Sequence, residues 1–202
     1  TGGNVTTKSS SFTVTNEFAD LSVTAFDGDL QCTPSVHSAI GNYEMPSHVG
    51  AFNKIMAQYD HNCINGDCDP YDRVGGVKVR NYRGEWMELF RYITPFGVEC
   101  EDNLDVTDFS SVLQGLVEFE LYFESWDGSG YMPTLTFDMT KGEPEYDYVN
   151  VDEIWFDIFS FGDYANQQPV PEVDYTFDEN AEAAKLKLTT SGHNWSSRTN
   201  GT

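Results

Sequence analysis

The densest chemistry in this chain lies in Cys63-Ile64-Asn65-Gly66-Asp67-Cys68-Asp69-Pro70-Tyr71-Asp72-Arg73. Its two cysteines flank Asn65-Gly66, a dipeptide that reverses the chain because glycine tolerates positive φ. A Cys63–Cys68 disulfide would close that turn and, in the chain-entropy account, stabilise it by about 2 kcal/mol. The Asp72 carboxylate, beside Arg73, would then stand on a stiff base. A carboxylate that orients water or takes a proton needs such support. A metal site is the competing chemistry, since Asp60, His61, Asn62, Cys63, Asp67, Cys68 and Asp69 all carry ligand-type groups. The spacing argues against it. A structural zinc site takes four ligands, usually with a second Cys/His pair further along, and none follows. An EF-hand loop counted from Asp60 meets Ile64 and Asn65 where a carboxylate or amide and then a glycine are required. The stretch therefore reads as a disulfide-braced loop, with no metal and no cofactor expected.

Composition narrows the partners. The chain has 202 residues and a formal net charge of −22. That acidity excludes binding to a nucleic-acid backbone by counterion release and disfavours anionic membrane surfaces. It fits solubility in a salty or extracellular medium. No apolar run approaches the roughly 18 residues of a membrane span. The chain begins at Thr1 without a basic and then apolar leader, and reads as a mature or excised segment of a soluble protein. Four cysteines, an even number, fit an oxidising compartment, so a secreted, extracellular or periplasmic location is expected. With Cys63 joined to Cys68, elimination leaves Cys32 to pair with Cys100. Asn4, Asn194 and Asn200 each head an N-glycosylation sequon, a motif frequent enough by chance in a Ser/Thr-rich chain to carry little weight alone.

The elements that must hold the loop read as strands. Phe12 and Val14 alternate within 9–16, and Leu21, Val23 and Ala25 do so before the Asp27-Gly28-Asp29 turn. Residues 30–47 look irregular. The span 48–60, with Val49, Phe52, Ile55, Met56 and Tyr59, is too short before the cysteine loop for a helix and reads as a strand. Val77–Tyr82 and Glu85–Thr94 flank an Arg83-Gly84 turn as a hairpin. Residues 105–113 suit one short helical turn. In Val117–Trp126, Val117, Phe119, Leu121 and Phe123 face one way, and Glu118, Glu120, Tyr122, Glu124 and Trp126 the other. Met132–Met139 returns with Leu135, Phe137 and Met139 on one face. Strands spaced in this way predict an all-β fold, an antiparallel eight-stranded jelly-roll sandwich over residues 1–143. A boundary falls at Lys141-Gly142-Glu143-Pro144. Residues 144–202 hold only three or four further strand candidates, among them Ile154–Ile158, Val173–Phe177 and Ala184–Thr190, and read as an incomplete second sandwich.

Taken together, several blocks resemble the peptide-N-glycosidase F family, the peptide-N4-(N-acetyl-β-glucosaminyl)asparagine amidases. They are Cys63-x4-Cys68-Asp69-x-x-Asp72-Arg73; Gly84-Glu85-Trp86 with Glu88 and Arg91-Tyr92-Ile93-Thr94-Pro95-Phe96; Asp105-Val106-Thr107-Asp108-Phe109; Glu124-x-Trp126; and Ser191-Gly192-His193. The blocks keep the family's order and run over about residues 45–195; each is weak alone and specific in combination. The resemblance implies two side-by-side jelly rolls and metal-free hydrolysis of the amide between asparagine and the first N-acetylglucosamine of an N-glycan. By motif match it makes Asp72 the principal catalytic carboxylate and Glu124 the second acidic residue. Arg73, Trp126, Tyr71 and His193 become substrate contacts. Tyr71 stands where the family usually has Trp, and Lys185 and Lys187 where Arg is common. The family's third acidic residue follows Ser-Gly-His, and the sequence stops at Thr202 before a matching glutamate block.

Two functions follow as expectations. The first is an amidase acting on N-glycopeptides, active once the second jelly roll is completed by further chain or by a second polypeptide. The alternative is a non-catalytic extracellular glycoprotein subunit whose open sheet edge takes a strand from a neighbour, assembling into filaments. Taken alone, a strand-face Glu is usually solvated surface, a strand Trp usually core, and an Asp–Arg pair usually structural. Only the combination of blocks points to a site.

Overall fold

The computed structural model describes residues 19–47, 51–146, 148–156 and 170–190. Its strands are β1 (Leu21–Asp27), β2 (Ser38–Met45), β3 (Phe52–His61), β4 (Val74–Arg80), β5 (Trp86–Ile93), β6 (Cys100–Asp105), β7 (Gly115–Phe123) and β8 (Thr134–Lys141). They form two four-stranded sheets, ordered β1-β8-β3-β6 and β2-β7-β4-β5. Every ladder is antiparallel. Only β4 and β5 are neighbours both in sequence and in a sheet; every other connection crosses to the opposite sheet, as in a jelly roll. The fold is the predicted all-β sandwich.

Period-two patterning builds the core. From β7, Val117, Phe119, Leu121 and Phe123 are buried, and Leu135, Phe137 and Met139 meet them from β8. Phe119 stacks on Phe137 across the sandwich with centroids 5.9 Å apart. β3 adds Ile55, Ala57, Tyr59 and His61. In β1 a register shift between Thr24 and Phe26 turns both Ala25 and Phe26 inward. Residues 107–109 form the expected short helical turn, whose Phe109 is buried. Among the described residues no helix is long and apolar enough to cross a membrane.

The structure corrects three expectations. Residues 38–45, which look irregular in sequence, are β2. It is an edge strand paired only with β7, it turns small or polar-tipped Ala39 and Tyr43 toward the core, and it leaves Ile40 exposed, so its alternation is weak. Val173–Phe177 and Ala184–Thr190 are not strands, and neither are residues 154–156. Val173, Tyr175, Phe177, Leu186 and Leu188 are exposed, with no ladder partner among the described residues to turn an alternating pattern into a sheet. Cys32 and Cys100 are both free. Cys32 is fully buried in a bridge to Tyr131 with its Sγ donating to the Leu121 carbonyl, whereas Cys100 opens β6 opposite His61. The Cys63–Cys68 disulfide is present. Asn65 (φ 56°) and Gly66 (φ 70°) are both left-handed, as an Asn-Gly reversal requires. The expected strand at 9–16, Val49 and Ile158 lie outside the described residues.

Residues 152–156 lie against the outer face of sheet β2-β7-β4-β5. Val151 packs against the core. The Glu88 amide donates to Glu153 (2.8 Å), and Arg83 pairs with Asp152. The Phe156 ring lies between Lys78 (4.8 Å) and Arg91 (5.1 Å), beside Tyr122.

His61 is 1% exposed and lies among the rings of Tyr59, Tyr92, Phe123 and Tyr131. Neither ring nitrogen has a hydrogen-bond partner among the described residues. Burial without a partner disfavours the charged form and pushes its pKa from 6.5 down to about 4. The unfolded chain therefore binds the extra proton between those values. Stability should fall as pH drops through this window, by up to about 3 kcal/mol. Urea unfolding of wild type and His61→Phe from pH 7 to 4 checks this: the variant should lose that part of the slope, and parallel curves would refute it. Non-reducing peptide mapping should find Cys63 joined to Cys68, with Cys32 and Cys100 as thiols. Cys63→Ser with Cys68→Ser should cost about 2 kcal/mol in the same assay.

Candidate active site

The ladder between β4 and β7 sets the site. Gly75 pairs with Phe123, and the Glu124 amide donates to the Val74 carbonyl at 3.0 Å. Asp72 precedes Val74 by two residues, so Asp72 and Glu124 stand at one end of sheet β2-β7-β4-β5. Strand parity leaves Glu124 exposed, outside the core that takes Phe123. Asp72 is half-buried.

Asp69 ties the two chains beyond that end. Its side chain is fully buried. Oδ2 accepts the Nε–H of Arg73 at 2.7 Å and the amides of Trp126 (3.0 Å) and Asp127 (3.1 Å). Oδ1 accepts the Tyr71 amide at 3.0 Å, and the Asp69 carbonyl accepts the Gly97 amide at 3.1 Å. One residue thus joins the segment bearing Asp72, the segment bearing Trp126 and the loop after β5. Burial alone would raise its pKa, but the Arg73 guanidinium and the three amides outweigh burial and hold it below the usual carboxylate value. Arg73 also reaches Asp127 at 3.4 Å and lies over the Tyr71 ring. Its amide donates to Thr94 Oγ1 at 2.8 Å, and its carbonyl accepts the Thr94 amide at the same distance. The Arg73 guanidinium therefore braces the loops through Asp69 and Asp127.

The cysteine loop and the turn after β7 are zipped together. The Ser129 amide donates to the Asp67 carbonyl (3.0 Å), the Ile64 amide to the Gly130 carbonyl (2.9 Å) and the Met132 amide to the Asn62 carbonyl (2.8 Å). Ser129 Oγ donates to the Asp67 carboxylate at 2.7 Å. The approach is close enough to demand glycine. At Gly130 (φ 103°) a Cβ would come within 2.1 Å of the Cys32 carbonyl oxygen, and at Gly128 (φ 71°) within 2.8 Å of the Cys68 carbonyl oxygen.

Exposed aromatic residues neighbour both carboxylates in the chain, Tyr71 beside Asp72 and Trp126 two residues after Glu124. Trp126 is 58% exposed and Tyr71 44%. His37, just before β2, meets the Trp126 ring at 4.4 Å in a near-perpendicular contact. The structure thus brings Asp72, Glu124, Arg73, Tyr71 and Trp126 to one sheet end. Cys63 and Cys68 brace the loop from behind, and Cys32 and Cys100 take no part. His193, Asn4, Asn194 and Asn200 lie outside the described residues. Among the described residues no group of three or more His, Cys, Asp or Glu side chains is arranged to hold a metal ion, and both thiols of the cysteine loop are tied in the disulfide.

Sequence reasoning missed Asp69 as the hub. Two signals were available: Asp69-Pro70, which favours turn initiation, and the four-residue step from Asp69 to Arg73. It also missed His37, which meets Trp126 only because β2 pairs with β7, a ladder that an irregular reading of 30–47 cannot supply.

Known proteins resemble this chain in sequence and fold. Peptide-N(4)-(N-acetyl-beta-D-glucosaminyl)asparagine amidase F of Elizabethkingia miricola is 38% identical over 117 residues, covering 55% of this chain and 33% of that protein. PNGase F, a glycosylasparaginase from Flavobacterium meningosepticum, superposes with a TM-score of 0.60 at 32% identity over 65% of this chain and 45% of its own. A crystal structure of a peptide-N(4)-(N-acetyl-beta-D-glucosaminyl) asparagine amidase gives 0.58 at 32% identity over 64% and 44% of the two chains. No family model matches the chain. The matched part is about a third of the curated relative's length.

The Asp69 hub predicts an asymmetry between neighbouring aspartates. Asp69→Asn leaves Arg73 beside a neutral group in a buried setting and should cost about 3 kcal/mol. Asp72→Asn at the half-buried position should cost less than about 1 kcal/mol. Denaturant midpoints at pH 7 measure both. Because the Asp69 pKa is lowered, its stabilisation is present at neutral pH and is lost as pH falls through the folded-state value. Equal costs for the two variants would remove Asp69 from its place as the tie.

Proposed function

We propose that this chain, a relative of peptide-N-glycosidase F in sequence and fold, carries part of the active site of an amidase that hydrolyses the asparagine–glycan amide of N-glycopeptides. The observation that carries the reading is the placement of Asp72 and Glu124 at one end of the β4–β7 ladder, across a loop pair locked by Asp69. Amide hydrolysis needs a base that draws a proton from water as its oxygen attacks the carbonyl carbon, and an acid that protonates the departing nitrogen. Asp72, on the braced loop, is the base. Glu124, on the facing strand end, is the second acidic group and supplies the proton as the C–N bond breaks. The asparagine becomes aspartate, and the glycan leaves as its glycosylamine. Trp126 and Tyr71 offer exposed ring surface to the sugars, and no cofactor enters the chemistry.

Activity of the complete protein depends, in this reading, on a second jelly roll seated on the outer face of sheet β2-β7-β4-β5, formed by further chain or by a second polypeptide. The contacts of Val151, Asp152, Glu153 and Phe156 with that face support the direction of docking. His193 belongs to that second part of the site. A secreted, extracellular or periplasmic setting suits the disulfide and the substrate.

Incubation of the complete protein with an N-glycopeptide should release the glycan and convert Asn to Asp, read by mass spectrometry. Asp72→Asn should lower turnover by about 10²–10⁴-fold with its unfolding midpoint unchanged. Absence of any release by the wild-type protein would defeat the amidase reading.

A further inference from the structure

We propose that His37 is a positioning residue that sets the Trp126 indole as the sugar-stacking surface of the site; the identity of the ligand rests on the amidase reading above. Trp126 is fixed at two points. Its backbone amide donates to the buried Asp69 carboxylate at 3.0 Å, just after the fully buried Ser125. Its ring meets the His37 imidazole with centroids 4.4 Å apart and planes at 79°. The first contact holds the chain and leaves the side-chain torsions open. The second restricts them by taking one side of the indole, while 58% of the residue stays open to solvent.

His37 is itself locked in place. Thr33 and Val36 exchange amide and carbonyl bonds of 2.8 and 3.0 Å, closing a tight turn over Pro34 and Ser35. His37 follows, and its Nε2 lies 3.2 Å from the Pro34 carbonyl, which makes Nε2 the protonated nitrogen. Its own carbonyl accepts the Phe123 amide at 2.9 Å, which anchors it at the β7 end that leads to Trp126. Turn, imidazole and indole therefore form one rigid relay from the β2 end to the mouth of the site. A flat aromatic surface held in one orientation costs a sugar less ordering entropy than a free-swinging one.

The test is titration of N,N′-diacetylchitobiose, the sugar pair at the base of an N-glycan, into the full chain, followed by calorimetry. It needs no turnover. His37→Ala should weaken binding by about three- to tenfold, the weight of one aromatic contact. His37→Phe, which keeps a ring, should restore it to within about twofold of wild type, and in a Trp126→Ala background His37→Ala should have no further effect. With a turned-over glycopeptide the loss should fall on KM more than on kcat. Melting curves accompany each variant; His37→Gln, which keeps a donor for Pro34 and lacks the ring, replaces Ala if that variant does not fold. Equal affinities of wild type and His37→Ala, an undiminished loss in the Trp126→Ala background, or no chitobiose binding by wild type would each overturn the proposal. Chitobiose binding that depends on His37 without glycopeptide turnover would sink the amidase reading and leave the positioning role standing.

Discussion

Much of the site end of this sandwich depends on one buried carboxylate. Asp69 has no exposed side-chain surface, and desolvating an ionised group is expensive unless it is paired and hydrogen-bonded. Here an arginine and three backbone amides meet that condition. The four donors come from two segments far apart in sequence. Satisfying the charge therefore also fixes the segments relative to each other. Short of proline, substituting a residue's side chain leaves its backbone amide in place, so the geometry of the tie is set by the path of the chain.

Around that tie the other constraints are steric. Gly128 and Gly130 let the turn after β7 lie directly on the backbone of the cysteine loop and of Cys32. The disulfide limits how far the loop can yield. Asp72 and Glu124 then need no direct contact to be held in register, because the Glu124 amide is itself bonded and Asp72 precedes the bonded Arg73 amide. Rigid support of this kind is what the proposed roles of the two carboxylates call for, with Asp72 on a braced loop and Glu124 at a strand end.

The opposite balance holds after residue 144. There the described segments touch the sandwich through side chains, as Lys185 does with Asp108 and Arg83 with Asp152. Exposed ion pairs of this kind contribute little to stability, so the segment's course over the outer face is set more by Val151 and Phe156, which bury apolar surface. The same face carries Lys78, Arg80, Glu88, Glu118 and Glu120 in paired charges. It is a polar surface with an aromatic centre rather than a bare apolar one.

Period-two alternation was legible in sequence wherever one face of a strand is large and apolar, as in β7 and β8, because burial selects residue type position by position. The hairpin of β4 and β5, the Asn-Gly reversal and its disulfide were legible for the same reason: each is a local rule acting on adjacent residues. The block pattern around Asp72 and Glu124 also lay in the sequence. What only the tertiary structure decided is everything that needs a ladder partner. β2 is a strand because β7 lies beside it, although its inward residues before Met45 are small or polar-tipped. Residues 173–177 alternate and are not a strand, because among the described residues no neighbour completes them. Cys32 and Cys100 are an even remainder in composition, yet they open onto different ladders. Asp69 and His37 became functional candidates only when folding brought Trp126 to both of them. A carboxylate's partners and a ring's neighbour are set by contacts across about 60 to 90 residues of chain, and no local pattern encodes such a contact.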